Sequence, residues 1–166
     1  MSLHAVVVPT FLQTLKGLSG VLTKAEAHCE AKKITPEALL TARLFPDMHP
    51  LTRQVQMASD FAAKSCARLA GVDVPSYPDE EKTFAELQKR IATATSFVKG
   101  FSEKQFEGAA GREITITAGP RTLNFNGASY LASFGLPNFF FHATTAYDIL
   151  RHNGVEVGKR DFLGMA

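Results

Sequence analysis

Leu136-Pro137-Asn138-Phe139-Phe140-Phe141-His142-Ala143-Thr144-Thr145-Ala146-Tyr147-Asp148-Ile149-Leu150-Arg151-His152-Asn153-Gly154 has the length of a helix and the punctuation of one. Gly154 is the residue type that closes a helix in the left-handed conformation. Pro137 predicts either a kink or a short helix, a break and then the main helix, because proline donates no backbone hydrogen bond. His142 follows three phenylalanines. On a helix it shares a column with Asn138, Thr145 and Ile149, so polar residues interrupt an otherwise apolar rod. Two readings of such an imidazole stay open: a core residue with one satisfied hydrogen bond, or a working group in a pocket.

A rod of this kind needs partners, and the chain upstream supplies them. Apolar residues recur at Phe11, Leu15, Leu18, Leu22, Ala25 and Cys29, in steps of four and three that place them on one helical face. The opening Pro9-Thr10-Phe11 predicts the start of this helix, and the charged cluster at 30–33 its end. Thr35-Pro36-Glu37 predicts a short helix reaching residue 44, with threonine as cap and proline in the first turn. A second long helix carries Leu51, Val55, Ala58, Phe61, Ala62, Ser65 and Leu69 inward and stops near Gly71. Thr83-Phe84-Ala85-Glu86 matches a capping box. It opens a third long helix with the stripe Phe84, Leu87, Ile91, Ala94, Val98 and Phe101, and with Glu86, Lys89, Arg90 and Lys99 as its outward face. The period then changes to two in Glu113-Ile114-Thr115-Ile116-Thr117 and in Thr122-Leu123-Asn124-Phe125, which predicts a β-hairpin whose Ile114, Ile116, Leu123 and Phe125 lie on the helices. The tail from Val155 has no period. The expected fold class is all-α: a four-helix bundle with a small hairpin before the last long helix.

The 166 residues predict one domain, 1–166, large enough to fold without a metal or disulfide. A net charge of +2 from scattered lysines and arginines supplies no basic stripe for nucleic acid. Cys29 and Cys66 fall on helix stripes and read as buried free thiols. The first residues lack the pattern of a signal peptide, and no segment is expected to give the roughly 20 apolar residues of a membrane span. The expected location is cytoplasmic.

Five histidines, His4, His28, His49, His142 and His152, are the candidate reactive groups. No H-x-x-x-H or C-x-x-C pair occurs, so no metal and no cofactor is expected. His4 and His28 read as solvent-facing, and His152 as a cation favoured in a last helical turn. His49 reads as an exposed first-turn residue or as a group at a pocket mouth. Gln54 and Gln56 are amides on a helix that should be apolar. Buried amides and imidazoles must be hydrogen-bonded or cost about 1–3 kcal/mol each. The simplest arrangement is a polar cluster across the seam between helix 51–69 and the last helix, with Gln56, Asn138 and His142 satisfying one another. Asp60 and Asp148 read as isolated acids. Nucleophile elbows, phosphate loops and paired carboxylates are missing.

Several stretches carry a resemblance: Leu44-Phe45-Pro46-Asp47-Met48, Arg53-Gln54-Val55-Gln56, Thr83-Phe84-Ala85-Glu86-Leu87, residues 136–154, and Lys159-Arg160-Asp161-Phe162-Leu163-Gly164. In their order and span the chain resembles uncharacterised bacterial proteins of the DinB/YfiT-like superfamily. The resemblance implies an up-down-down-up four-helix bundle with a hairpin between helices three and four, often as a homodimer. It also implies a divalent metal held by one histidine on the second helix and an H-x-x-x-H pair on the fourth. Here His142 matches the second member of that pair, Asn138 falls at the first, and Gln54 to Met57 offer no histidine. The site is therefore expected to be degenerate. The expectation is a small-molecule pocket formed by Gln54, Gln56, Asn138, His142, Thr145 and His49, with His142 as candidate acid or base. The alternatives are a non-enzymatic dimeric scaffold and a residual metal-dependent transferase or hydrolase.

Overall fold

The computed structural model describes residues 2–165, a mostly helical chain with one two-stranded antiparallel hairpin. Helix α1 (Leu3–Lys32) begins two turns earlier than Pro9 suggests. The stripe continues upstream through Val7, which is fully buried, and this outweighs the one backbone bond that Pro9 cannot make near the helix end. The side chain of Ser2 caps it by accepting the Ala5 N–H at 3.3 Å. Lys33 ends it in the left-handed region, its N–H bonded to the carbonyls of Cys29 and Glu30. By length and composition α1 could cross a membrane, contrary to the expectation that no segment would. Half of its most apolar window is buried, and eleven of its residues face the protein core.

Helix α2 (Pro36–Leu40) stops four residues short of the expected end. The Leu40 carbonyl accepts the Thr52 hydroxyl, and the Ala42 carbonyl accepts the Leu51 N–H, so the chain is diverted into the start of α3. Helix α3 (Leu51–Ala70) ends at Gly71, whose φ of 70° suits glycine. Helix α4 (Phe84–Lys99) opens on the expected capping box, Thr83 with Glu86. Helical turns at Glu103–Phe106 and Ala109–Gly111 lead to β1 (Glu113–Ala118) and β2 (Arg121–Asn126). The register pairs Ile114 with Phe125 and Ile116 with Leu123, and both isoleucines are buried against the helices as the alternation requires.

Helix α5 (Gly127–Tyr130) passes through one wide π turn, Leu131–Gly135, directly into α6 (Leu136–His152). The expected short helix and main helix are both present, and what separates them ahead of Pro137 is this π turn rather than a non-helical break. Pro137 occupies the first turn of α6, where a missing N–H does least harm. The Leu136 N–H reaches back five residues to Leu131, so the widened turn absorbs the mismatch that proline imposes.

Both α1 and α3 pack against both α4 and α6, and the core lies between these four helices. The unpatterned tail holds a short helix, α7 (Lys159–Phe162), seated on α1. Gly17 makes that seat, since a Cβ there would overlap the Phe162 carbonyl. Gln13 and Lys16 donate to the carbonyls of Leu163 and Gly164 at 3.1 and 2.9 Å, and Lys24 pairs with Asp161 at 2.6 Å. His4, expected in solvent, is partly buried. Its Nε2 lies 2.9 Å from the Phe101 carbonyl, and its ring meets Phe106 edge-on. His28 is half-buried rather than solvent-facing, and His152 is exposed in the last turn of α6.

Candidate functional site

His142 points inward from α6 and is 5% exposed. Its Nδ1 lies 2.7 Å from Oε1 of Gln54, which is buried on α3. The Gln54 Nε2 in turn donates to the backbone carbonyl of His49 at 3.1 Å. This chain of contacts fixes the hydrogens. A carbonyl only accepts, so the amide nitrogen of Gln54 must face His49 and its oxygen must face the ring. His142 therefore donates from Nδ1, and in the neutral form its lone pair is on Nε2. Burial, with smaller contributions from the positive charges of His49 and Arg53, pushes its pKa down to about 4. At neutral pH the group is an uncharged imidazole whose acceptor atom is Nε2.

Only part of the expected cluster assembles here. Gln54 and His142 meet directly, while His49 contributes its carbonyl and keeps an exposed side chain. Asn138 donates to the Phe134 carbonyl of the preceding π turn at 2.8 Å, and Thr145 to the Phe141 carbonyl of its own helix at 2.7 Å, so neither reaches across to α3. Gln56 is buried but belongs elsewhere. Two residues along a helix is a rotation of about 200°, which carries it away from Gln54. It accepts from Arg53 at 3.2 Å and donates to Glu81 at 2.8 Å.

That contact is one side of a closed ring of charge. Glu81 accepts from Arg90 at 3.0 Å, Arg90 pairs with Asp79 at 3.2 Å, and Asp79 pairs with Arg53. Arg90 also pairs with Asp60, which in turn holds Lys64. The Arg90 guanidinium lies 4.5 Å from the Tyr77 ring centroid and donates to the Pro78 carbonyl at 3.1 Å. Arg90 was expected on the outward face of α4 and Asp60 was expected to be isolated. Instead Arg90 is 4% exposed, because the linker 72–83 folds over it and brings two acids. Burial alone would weaken its charge, but the Asp60 and Glu81 carboxylates more than offset this and hold it protonated.

Phe61 joins the imidazole to a cleft. Its ring stacks on His142 at 5.7 Å and 17°, and packs on Phe134 at 5.9 Å. Phe61 and Phe134 line a concavity of about 270 Å³ between α3 and the hairpin, together with Arg53, Asp60, Lys64 and Arg68. Behind it the fully buried Tyr130 hydroxyl lies 3.0 Å from the Ser65 hydroxyl and accepts from Arg68 at 3.4 Å. Phe61, Ser65 and Arg68 follow Gln54 at steps of seven, eleven and fourteen, so the sequence carried a signal for them in one column of α3. For the linker acids it carried none.

Among the described residues, no group of three or more His, Cys, Asp or Glu side chains is placed to hold a metal ion. Where the resemblance implies ligands stand Asn138 and His142 on α6 and, on α3, the stretch Gln54 to Met57, whose inward amide beside His142 is Gln54. The two amides are already engaged in hydrogen bonds and offer no anionic donor. The residues present do not fit a divalent metal centre. Cys66 is fully buried and burial raises its thiol pKa to about 12, so it is inert packing.

A family model described as a domain of unknown function (DUF1993) matches residues 3–163. The crystal structure of a DinB family member protein from Shewanella denitrificans is similar to this chain, with 43% identity and a TM-score of 0.88, covering 97% of this chain and 91% of that one. No curated protein matches.

Proposed function

The chain belongs to the DUF1993 domain family, and from that premise we propose that it is a metal-free small-molecule-binding protein. In this reading the chain is one domain with an up-down-down-up four-helix bundle. The mutual packing of α1 and α3 with α4 and α6 supports that arrangement, as does the likeness to a DinB family member. The ancestral ligand positions have become a neutral hydrogen-bonded pair, and the cleft beside that pair receives the ligand. The observation that carries this is Phe61, which stacks on the uncharged His142 and also walls the cleft. Ligand pockets are typically concave and aromatic with a few fixed polar groups; at about 270 Å³ this one falls just below their usual size, which restricts it to a small ligand. An imidazole with a pKa near 4 is a poor general base at neutral pH, so binding is favoured over catalysis.

A fragment library titrated into uniformly ¹⁵N-labelled protein tests the reading. Saturable shifts should cluster at residues 53–68, 116–117 and 134. An absence of saturable hits there would leave the second reading, a homodimeric scaffold. In that reading the self-association would cover exposed apolar side chains such as Phe45 and Phe141, 63% and 55% exposed. Sedimentation velocity on the unmodified chain measures it directly.

A further inference from the structure

The charges around the cleft are not all compensated. Arg53 is paired with Asp79, and Lys64 with Asp60. Asp60, the acid in the lining, is held by both Lys64 and Arg90. Arg68 is different. Among the described residues no carboxylate lies within ion-pair distance of it. Its one side-chain hydrogen bond among the described residues is the long one, at 3.4 Å, to the Tyr130 hydroxyl, and its guanidinium carbon lies 5.9 Å from the centroid of that ring. Tyr130 is fully buried, so the guanidinium rests on a fixed base with most of its N–H donors unused. Phe61, two turns earlier on the same face of α3, and Phe134, which packs on it at 5.9 Å, line the same cleft.

We infer that the cleft binds a small organic anion, with a carboxylate on Arg68 and a flat apolar body against Phe61 and Phe134. A planar guanidinium is matched to a carboxylate by two parallel hydrogen bonds. A half-buried arginine without an internal acid has that capacity to spare. The aromatic pair sets the second requirement, since rings stack on flat apolar groups at centroid separations of about 4.5–7 Å. Arg53 and Lys64 add positive potential at the rim, and because both are paired they steer the anion more than they bind it. This inference rests on the ligand-binding reading above and names the ligand class for the same site.

Benzoate and its neutral near-isostere benzamide are the probes, each titrated into the unmodified ¹⁵N-labelled chain. Benzoate should saturate shifts at residues 57–68 and 115–117 with an affinity at least about tenfold above that of benzamide. Arg68→Gln should reduce benzoate affinity by about tenfold or more and leave benzamide unchanged. Raising salt should weaken benzoate only. Equal binding of both probes at these residues would overturn the anion inference and leave the pocket standing. No saturable shift there with either probe would overturn both. The comparison of the two probes needs no variant, so a misfolded Arg68→Gln protein leaves the test intact.

Discussion

The backbone carbonyl of His49 determines the position of every proton in the small chain that ends at His142, and the consequence is measurable in acid. Unfolded, the imidazole titrates near 6.5; folded, it titrates near 4. Between those values the unfolded chain binds more protons than the folded one. Stability therefore rises with pH across that window, and is lost as pH falls from about 6.5 towards 4. The loss attributable to this one residue should be on the order of 2 kcal/mol. Urea denaturation at pH 7 and pH 4.5 should show that difference shrink in His142→Gln, whose side chain does not titrate. An unchanged pH slope in the variant would mean that the ring is not held neutral by its surroundings. His142 and Gln54 were both visible in the sequence as polar interruptions of apolar stripes. Their pairing was not, because Gln54 and Gln56 are equally polar and only the rotation of α3 about its axis chooses between them.

At the scale of elements, the linker and the tail carry what periodicity could not reveal. The stripes of α1, α3, α4 and α6 and the alternation in β1 and β2 were legible because each buries one face. Arg90 and the linker acids have no such pattern: three carboxylates converge on one guanidinium only after 72–83 is in place. Arg90→Met removes the cation and leaves Asp60 and Glu81 mostly buried without it. It should cost about 3 kcal/mol and lower the thermal midpoint by roughly 6–12 °C in a chain of this size. A change of less than about 1 kcal/mol would place the ring with ordinary surface pairs. The seat of α7 offers a contrast between two glycines on one helix. Nothing lies near a Cβ at Gly20, so Gly20→Ala should stabilise by about 0.5–1 kcal/mol through helix propensity. Gly17→Ala gains the same propensity but collides with the Phe162 backbone. It should lose about 1–3 kcal/mol net or release the tail, which limited proteolysis at residues 158–165 would detect. Equal behaviour of the two variants would contradict the close approach.

For the molecule as a whole, the lack, among the described residues, of any group of three or more His, Cys, Asp or Glu side chains placed to hold an ion makes a prediction about metals. A ligand that binds the native state raises the midpoint by mass action. Zinc or nickel at tenfold excess should therefore leave the unfolding midpoint of the unmodified chain within about 1 °C, and the purified protein should carry no stoichiometric metal. A zinc-dependent rise abolished in His142→Ala would restore the metal-enzyme reading. The helical class and the hairpin could be read from the chain because they follow from residue spacing. The cleft could not, since it is made where α3 meets the hairpin and its charge depends on which neighbours each cation has already taken.

The clasp between α1 and α7 also bears on how the chain is made. Gln13 and Leu163 touch across 150 positions, so one flank of a thirty-residue apolar helix stays uncovered until residue 163 has left the ribosome. Contacts of such long range form late and slowly. Over those 150 positions of synthesis the flank of α1 that carries Gln13, Lys16, Gly17 and Lys24 has no tail to bind.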